Sequence, residues 1–297
     1  MKRFERAIQD WSRECNAKVF RAGPSVFVIP EKYDRSELRE ILRDFDHMLE
    51  RSLILKDSPT TTAGIAAFTP DDAPVFLKRT NNKGLLFTLR YLFRAARPFR
   101  SARSAQIFRK LGIRTPEILA AGEKRTGLIL RAGYLVTTSS DQVRGMEKVV
   151  LDTVDPLSVL DAFFVYAAQT MAVLHRANII HGDLKLGNFY CEGTWSPAEA
   201  QYGIWDLDSV RIYPGVPPME KVERELGRLA ASCLMILDRN PYVPDSFFAP
   251  DALAQKLVSL YLETPDVTIR PDVKGVAQHI RNRWYRFTGR QRAEWEG

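Results

Sequence analysis

The sequence HGDLKLGN occupies residues 181–188, and IWDLD follows at residues 204–208. The two segments place Asp183 five residues before Asn188, and Asp206 after a short strand-like interval. Transfer of a phosphoryl group needs these residue types, because one carboxylate must accept or orient the proton of the attacking hydroxyl. An amide oxygen and a second carboxylate must hold Mg²⁺, a hard cation that prefers oxygen ligands. The two segments therefore predict a site for phosphoryl transfer.

Each polar side chain in these segments has a predicted role. Asp183 is the predicted catalytic base, and Asn188 and Asp206 are the predicted metal ligands, with Asp206 bridging the metal to the phosphates. Lys185 follows the base by two residues. From there its ammonium group could stabilise the negative charge on the transferring group. His181 is expected to brace the loop through hydrogen bonds rather than to act chemically.

A second candidate segment lies upstream, where the apolar run VFLKR ends near Lys78. We predict that Lys78 anchors the phosphates of a nucleotide. No G-x-G-x-x-G precedes it, and residues 58–66, SPTTTAGIA, contain a single glycine, Gly64. We expect this small-residue loop to lie over the phosphates, with hydroxyls and backbone N–H groups as donors. Residues 73–116 contain no acid that could pair with the lysine, and Gln106 is the nearest polar substitute.

The order of patterns predicts an α+β protein with a strand-rich first part and a helical second part. We expect a helical extension, a small N-lobe and a larger C-lobe, at residues 1–50, 51–138 and 139–297. Within the extension, residues 1–20 have the periodicity of an amphipathic helix. Asp34 followed by Glu37 suggests the capping box of a second helix.

The net charge of +7 is unevenly distributed, because residues 73–116 contain eleven basic residues and no acidic one. Such a field favours an anionic partner, although acids from elsewhere in the fold could equally balance it. We expect five arginines to form one face, with a helix break near Pro98: Arg90, Arg94, Arg97, Arg100 and Arg103. The longest uncharged apolar runs, such as AGIAAFT at residues 63–69, are expected to be too short to cross a bilayer. Three widely spaced cysteines indicate a reducing cytosol.

The segments HGDLKLGNFY and IWDLDSV, the spacing to VFLKRTNNKGLL, and FRSARSAQIFRKLGIRTPEILAAGE together resemble the lipopolysaccharide core kinases. These are the Kdo and heptose kinases, which are related to eukaryotic protein kinases. The resemblance covers residues 52–235. It implies a bilobal protein-kinase-like fold and transfer from ATP, with Mg²⁺, to a hydroxyl of an inner-core sugar. The implied partners are the lipid A–core glycolipid and an anionic membrane surface, with peripheral attachment at the cytoplasmic face of the inner membrane and no nucleic acid.

Two alternatives stay open at the level of sequence. Aminoglycoside and choline kinases share the H-G-D and D-x-D/E patterns, so the chain could phosphorylate a small soluble molecule. Members of those groups often lack a lysine at the position of Lys185. The absent acid and the single glycine are instead what a non-catalytic pseudokinase would show.

Overall fold

The computed structural model describes residues 9, 12–13, 16–67, 73–82, 84, 89, 91–92, 94–140, 142–193, 200–240, 242 and 249–289. The chain divides into two compact units. The first comprises Met1–Arg109 and Thr115–Asp141, and the second comprises Lys110–Arg114 and Gln142–Gly297. We call them the first unit and the second unit.

The first unit is built on a seven-stranded antiparallel sheet in the order β1-β2-β6-β7-β5-β4-β3. Its strands are β1 Ala17–Ala22, β2 Ser25–Pro30, β3 Leu53–Ser58, β4 Thr61–Ala66, β5 Val75–Asn81, β6 Ile118–Thr126 and β7 Ile129–Thr138. Its helices are α1 Ser36–Arg43, α2 Phe45–Glu50 and α3 Arg97–Lys110. Helices α1 and α2 pack on one sheet face, where Leu38, Ile41 and Phe45 join Leu77 and Tyr134 in a buried cluster.

Two local predictions for this unit are corrected. Within the predicted helix over residues 1–20, residues 17–20 belong to strand β1, and most of the others lie outside the described residues. The capping box is wrong, because helix α1 has no side-chain cap and the Asp34 carboxylate instead accepts two hydrogen bonds from Arg39, at 2.7 and 2.8 Å. The predicted break near Pro98 agrees with the structure, because residues 94–96 are not helical and α3 starts at Arg97, with Pro98 in its first turn. Proline is favoured there because first-turn N–H groups have no partner within the helix.

The second unit contains five described helices: α4 Met146–Asp152, α5 Pro156–Arg176, α6 Met219–Leu237, α7 Pro250–Leu262 and α8 Val273–Thr288. Its short strands are β8 Val143–Gly145, β9 Ile179–Ile180, β10 Phe189–Glu192, β11 Gln201–Ile204 and β12 Arg211–Ile212. They form two small sheets, β11-β10-β8 and β12-β9.

Helix α5 is the central helix of this unit and contacts α6 and α7. Asp155 caps its N-terminus, because the Asp155 side chain accepts a hydrogen bond from the backbone N–H of Ser158. Among the described residues it alone is long and apolar enough to cross a membrane, which corrects the expectation that every apolar run is too short. Its most apolar window is 56% buried, as the core helix of a soluble unit would be.

Candidate active site

The loop at residues 181–188 is held between two short β-ladders. Strand β9 enters the loop and pairs with β12, whereas strand β10 leaves it and pairs with β11. Residues 204–208 run between β11 and β12, so the two motifs are joined at both ends. Trp205 strengthens the junction: its backbone N–H donates to the Asn188 carbonyl at 3.0 Å, and its indole Nε1 donates to the Gly187 carbonyl at 2.7 Å.

Asp206 lies directly after this junction, in an exposed position. Its backbone is left-handed, with φ 58° and ψ 61°, a conformation uncommon for residues other than glycine. The following turn touches the loop, because a Cβ added at Gly182 would lie 2.8 Å from the Ser209 carbonyl oxygen. Strained backbone of this kind clusters at functional sites. The fold therefore holds Asp206 next to the loop in a conformation that local preference alone would not select.

Asn188 is 4% exposed and is fixed through its amide nitrogen. Its Nδ2 donates to the Asp183 carbonyl at 2.7 Å, and its backbone N–H donates to the Lys185 carbonyl at 2.9 Å. Because the donor end is engaged by backbone, the amide oxygen is the atom left for a cation. No cluster of three or more His, Cys, Asp or Glu occurs in the described part of the chain. Two protein ligands, Asn188 and Asp206, are enough for Mg²⁺, because this ion usually takes one or two carboxylates together with substrate phosphates and water.

The carboxylate of Asp183 forms an ion pair with Arg228 of helix α6. Arg228 Nη1 donates to Asp183 Oδ1 at 2.5 Å and to the Gly182 carbonyl at 2.8 Å. The Asp183 side chain keeps 37% of its surface exposed, so it is accessible to a hydroxyl-bearing acceptor. The sequence did not predict the contact with Arg228.

A second residue of α6, Glu225, supports the start of the loop from below. Its carboxylate accepts hydrogen bonds from the backbone N–H groups of His181, at 3.1 Å, and Gly182, at 2.6 Å. It also contacts His175 Nε2 at 3.1 Å, and His175 Nδ1 lies 3.2 Å from the Tyr261 hydroxyl. Burial alone would raise the pKa of the Glu225 carboxyl, but the hydrogen bond and the electrostatic interaction with His175 lower that pKa overall. The carboxylate is thus the favoured form.

Ser232 completes the support, because its hydroxyl accepts a hydrogen bond from the Leu186 N–H at 2.8 Å. The sequence VERELGRLAASCLMIL indicated a buried helix and nothing more. The available signal was that Glu225 and Arg228 interrupt its apolar face at helical spacing. Lys185 is half-buried and precedes the 3₁₀ turn Leu186–Asn188. Its predicted contact with the transferring group stays a prediction.

Lys78 lies in the middle of β5, in the first unit. Its neighbour Leu77 points into the core beneath α1 and α2, so Lys78 faces the opposite side of the sheet. Thr80, two residues on, shares that side, and Pro98 of α3 lies close by: a Cβ added at Gly133 would be 2.7 Å from the Thr80 hydroxyl and 2.8 Å from the Pro98 ring. Helix α3 therefore packs on the sheet face that carries Lys78.

Gly64 lies in the middle of strand β4, opposite Leu77, rather than at the β3–β4 turn. An added Cβ would collide with Ser52 Oγ and lie 2.9 Å from the Leu53 carbonyl oxygen. Close packing alone thus explains the glycine. Its predicted phosphate contact stays a prediction that this position does not strengthen.

Gln106, the predicted substitute for the missing acid, lines a cavity of about 280 Å³ in the first unit. Its neighbours there include Lys32, Tyr33 and Arg109. A buried acid does occur in this unit: Glu123 is 2% exposed, and its carboxylate contacts Arg125 at 2.7 Å. Glu123 lies beyond residues 73–116, the stretch that contains no acid.

The basic stretch divides into two groups. Three members pair with acids from elsewhere: Arg79 with Asp46, Arg109 with Glu117, and Arg114 with Glu192, at 3.1 to 3.5 Å. Others are exposed, and Arg100, Arg103 and Lys110 share one side of α3. We call these three residues the α3 basic strip. Lys83 and Arg90 lie outside the described residues.

The comparisons with known proteins agree with this geometry. The model of the lipopolysaccharide kinase (Kdo/WaaP) family matches residues 59–241, and no curated protein matches. A solved structure of WaaP in complex with acyl carrier protein superposes with a TM-score of 0.60 at 16% identity, over 88% of this chain and 99% of that chain. This likeness confirms the predicted protein-kinase-like α+β fold. Because the family match spans more than half of its residues, the chain belongs to the lipopolysaccharide kinase (Kdo/WaaP) family.

Proposed function

We propose that this protein transfers the γ-phosphoryl group of ATP to a sugar hydroxyl, on heptose or Kdo, in the inner core of lipopolysaccharide. The observation that carries the proposal is the arrangement of Asp183, Asn188 and Asp206 around one braced loop, in a chain of the lipopolysaccharide kinase family.

Each residue has a distinct task in this reaction. Asp183 orients the acceptor hydroxyl and takes its proton as the phosphoryl group is transferred in line. Asn188 and Asp206 would hold Mg²⁺, which when bound neutralises charge on the phosphates. Lys185 stabilises the transferring group, and Lys78 anchors the phosphates of ATP. Gly64 stays a predicted residue of the nucleotide site, on strand β4, which pairs with the strand that carries Lys78.

The decisive experiment compares acceptors with purified protein and labelled ATP. We expect phosphorylation of lipid A–core extracts and none of aminoglycosides or choline. Asp183→Ala should lower turnover by about 10²- to 10⁴-fold, the loss expected for a positioned base. Asp161→Asn is the matched control, because this exposed acid pairs only with Lys256 in the described structure. Wild-type turnover in Asp183→Ala would refute the assignment of the base.

The two alternatives give different results. A kinase of small soluble molecules would label a soluble acceptor and leave the glycolipid unlabelled. A pseudokinase would show no Mg²⁺-dependent binding of ATP by calorimetry. The family membership and the intact set of Asp183, Asn188, Asp206 and Lys78 favour the catalytic reading.

We further propose that the protein acts at the cytoplasmic face of the inner membrane and meets anionic lipid through the α3 basic strip. Each exposed charge near such a surface contributes about 1 kcal/mol, and salt weakens the attraction. Changing Arg100 and Arg103 to Glu should weaken binding to anionic vesicles and raise the glycolipid KM without changing the KM for ATP.

A second candidate partner is an acyl carrier protein, because the solved WaaP complex contains one. Its binding to wild type and variant can be compared by pull-down.

A further inference from the structure

Arg283 on helix α8 is a half-buried cation with no acidic partner among the described residues. Within the described residues it makes no hydrogen bond or ion pair, and its Nε is shielded from solvent. The guanidinium group instead lies over the ring of Phe287, 4.9 Å from the centroid. Burial lowers the pKa of Arg283, and the like charge of Arg228 lowers it further, although Asp183 opposes this. Burying an unpaired cation is costly, so such a group indicates an anion that binds there.

The position of Arg283 follows from the contact between helices α6 and α8. They meet at Gly227, where an added Cβ would lie 2.6 Å from His279 Cβ and 3.0 Å from the Val276 carbonyl oxygen. Arg228 follows Gly227, and Arg283 lies one turn beyond His279 on the same side of α8. The two arginines therefore project from the contact between the helices, and one of them already reaches the catalytic base.

Arg228 also has donors to spare. Its bonds to Asp183 and to the Gly182 carbonyl both use Nη1. A guanidinium group carries further N–H donors in a fixed plane that matches a phosphate or carboxylate. An oxyanion beside Asp183 could accept from Arg228 while the contact with the base is kept.

We propose that Arg228 and Arg283 form an oxyanion subsite beside Asp183, which binds a phosphate or carboxylate carried by the acceptor sugar. This inference rests on the proposed function and names the chemical class of acceptor. The pair would hold the acceptor by a group other than the reacting hydroxyl and so place that hydroxyl against Asp183. Neutral soluble acceptors would lack the group and bind weakly.

The test changes Arg283 to Gln, because Arg283 makes no bond to the catalytic loop that the variant would break. Lys274→Gln is the matched control: it removes an exposed positive charge from the first turn of the same helix. KM and kcat are measured with the core oligosaccharide as isolated, after phosphatase treatment, and after reduction of its carboxylates to alcohols.

We expect Arg283→Gln to raise the KM for the untreated acceptor by about 10- to 100-fold, the loss expected for a hydrogen bond to a charged group. The KM for ATP and kcat should change by less than about twofold, and Lys274→Gln should behave as wild type. The rise in KM caused by Arg283→Gln should vanish with one of the two treated acceptors. The treatment that removes it identifies the anion as phosphate or carboxylate. Arg283→Lys should recover part of the affinity, since it keeps the charge and loses the planar fork.

Three results would overturn the inference: an unchanged acceptor KM in Arg283→Gln, a loss confined to kcat, or an equal loss with acceptors that have neither anion. Calorimetric titration of the acceptor into the complex with a non-hydrolysable ATP analogue gives the same comparison without turnover. If wild type labels the core and Arg283→Gln is unaffected, only the subsite is refuted. If wild type labels no core acceptor, the proposed function fails first.

Discussion

Replacing Glu225 by Gln tests whether helix α6 positions the catalytic loop. The carboxylate accepts from the N–H groups of His181 and Gly182 and contacts His175, at 2.6 to 3.1 Å, and it is 3% exposed. Glutamine has nearly the same volume, so it creates no cavity. Its single oxygen can serve only one side of this arrangement, because the NH₂ group cannot accept a hydrogen bond.

The expected losses of stability and rate follow from the acceptor that glutamine lacks. If the amide oxygen stays on Gly182, the His181 N–H loses its acceptor and faces an NH₂ group. A buried donor left unpaired costs about 1–3 kcal/mol. We therefore expect the free energy of unfolding to fall by about 2 kcal/mol. A loop displaced by 1 Å can cost about 10²-fold in rate, so kcat should fall by about 10- to 100-fold. ATP affinity should change little.

Urea denaturation and steady-state kinetics measure both effects, with Glu220→Gln as the control, since Glu220 lies on the same helix with 67% of its side chain exposed. An unfolding midpoint and a kcat equal to those of wild type would refute the reasoning. A loss of stability with full kcat would show that Glu225 holds the core but not the reacting geometry.

Three further predictions concern single residues. Gly64→Ala should lower stability by about 1–3 kcal/mol because of the collision with Ser52, whereas Gly215→Ala, which meets no atom within 4 Å, should not; equal melting temperatures would contradict this. Asp206→Gly should abolish turnover and yet raise stability by about 1 kcal/mol, because glycine adopts the left-handed backbone without strain; a less stable variant would argue against strain at this position. Burial lowers the pKa of His181 below the ordinary histidine value of 6.5. The unfolded chain therefore binds the proton more readily, and this part of the stability is present above pH 6.5 and is lost as the pH falls towards the folded pKa. Urea midpoints that do not fall between about pH 7.5 and about pH 5.5 would contradict the buried, neutral imidazole.

The turn of the chain at residues 181–188 could be predicted from the sequence because its pattern is local. Asp183 and Asn188 are five residues apart, and the strand pattern around them forces the chain to turn back. The hydrogen bond that the Asn188 side-chain amide donates to the Asp183 carbonyl closes that short segment on itself. Residue type and spacing therefore carried enough information to locate the loop.

The N-terminal strand could not be predicted in the same way, because its conformation depends on a partner. Val19 and its neighbours fit a helical period, but the chain pairs Ala17–Ala22 with Ser25–Pro30 across a turn in which Gly23 has φ 56°. Gly23 and Pro24 mark that turn in the sequence, but the predicted helix covered residues 1–20 and no strand was predicted beside the turn. Cross-strand pairing decided the outcome.

The support of the loop was invisible for a different reason, namely distance along the chain. Glu225, Arg228 and Ser232 follow one another at steps of three and four on helix α6, so they lie on one side of it. They bind successive groups of the loop: the N–H of residues 181 and 182, the carbonyl of 182 with the carboxylate of 183, and the N–H of 186. A loop without regular structure must find partners for its buried backbone groups elsewhere. One helix face meets that need here, and this is why the side of α6 that faces the loop carries an acid, a basic residue and a hydroxyl at those positions. The same face also brings Arg228 to the carboxylate of Asp183, the proposed base. Helix α6 therefore both braces the loop and places a positive charge beside the proposed acceptor site.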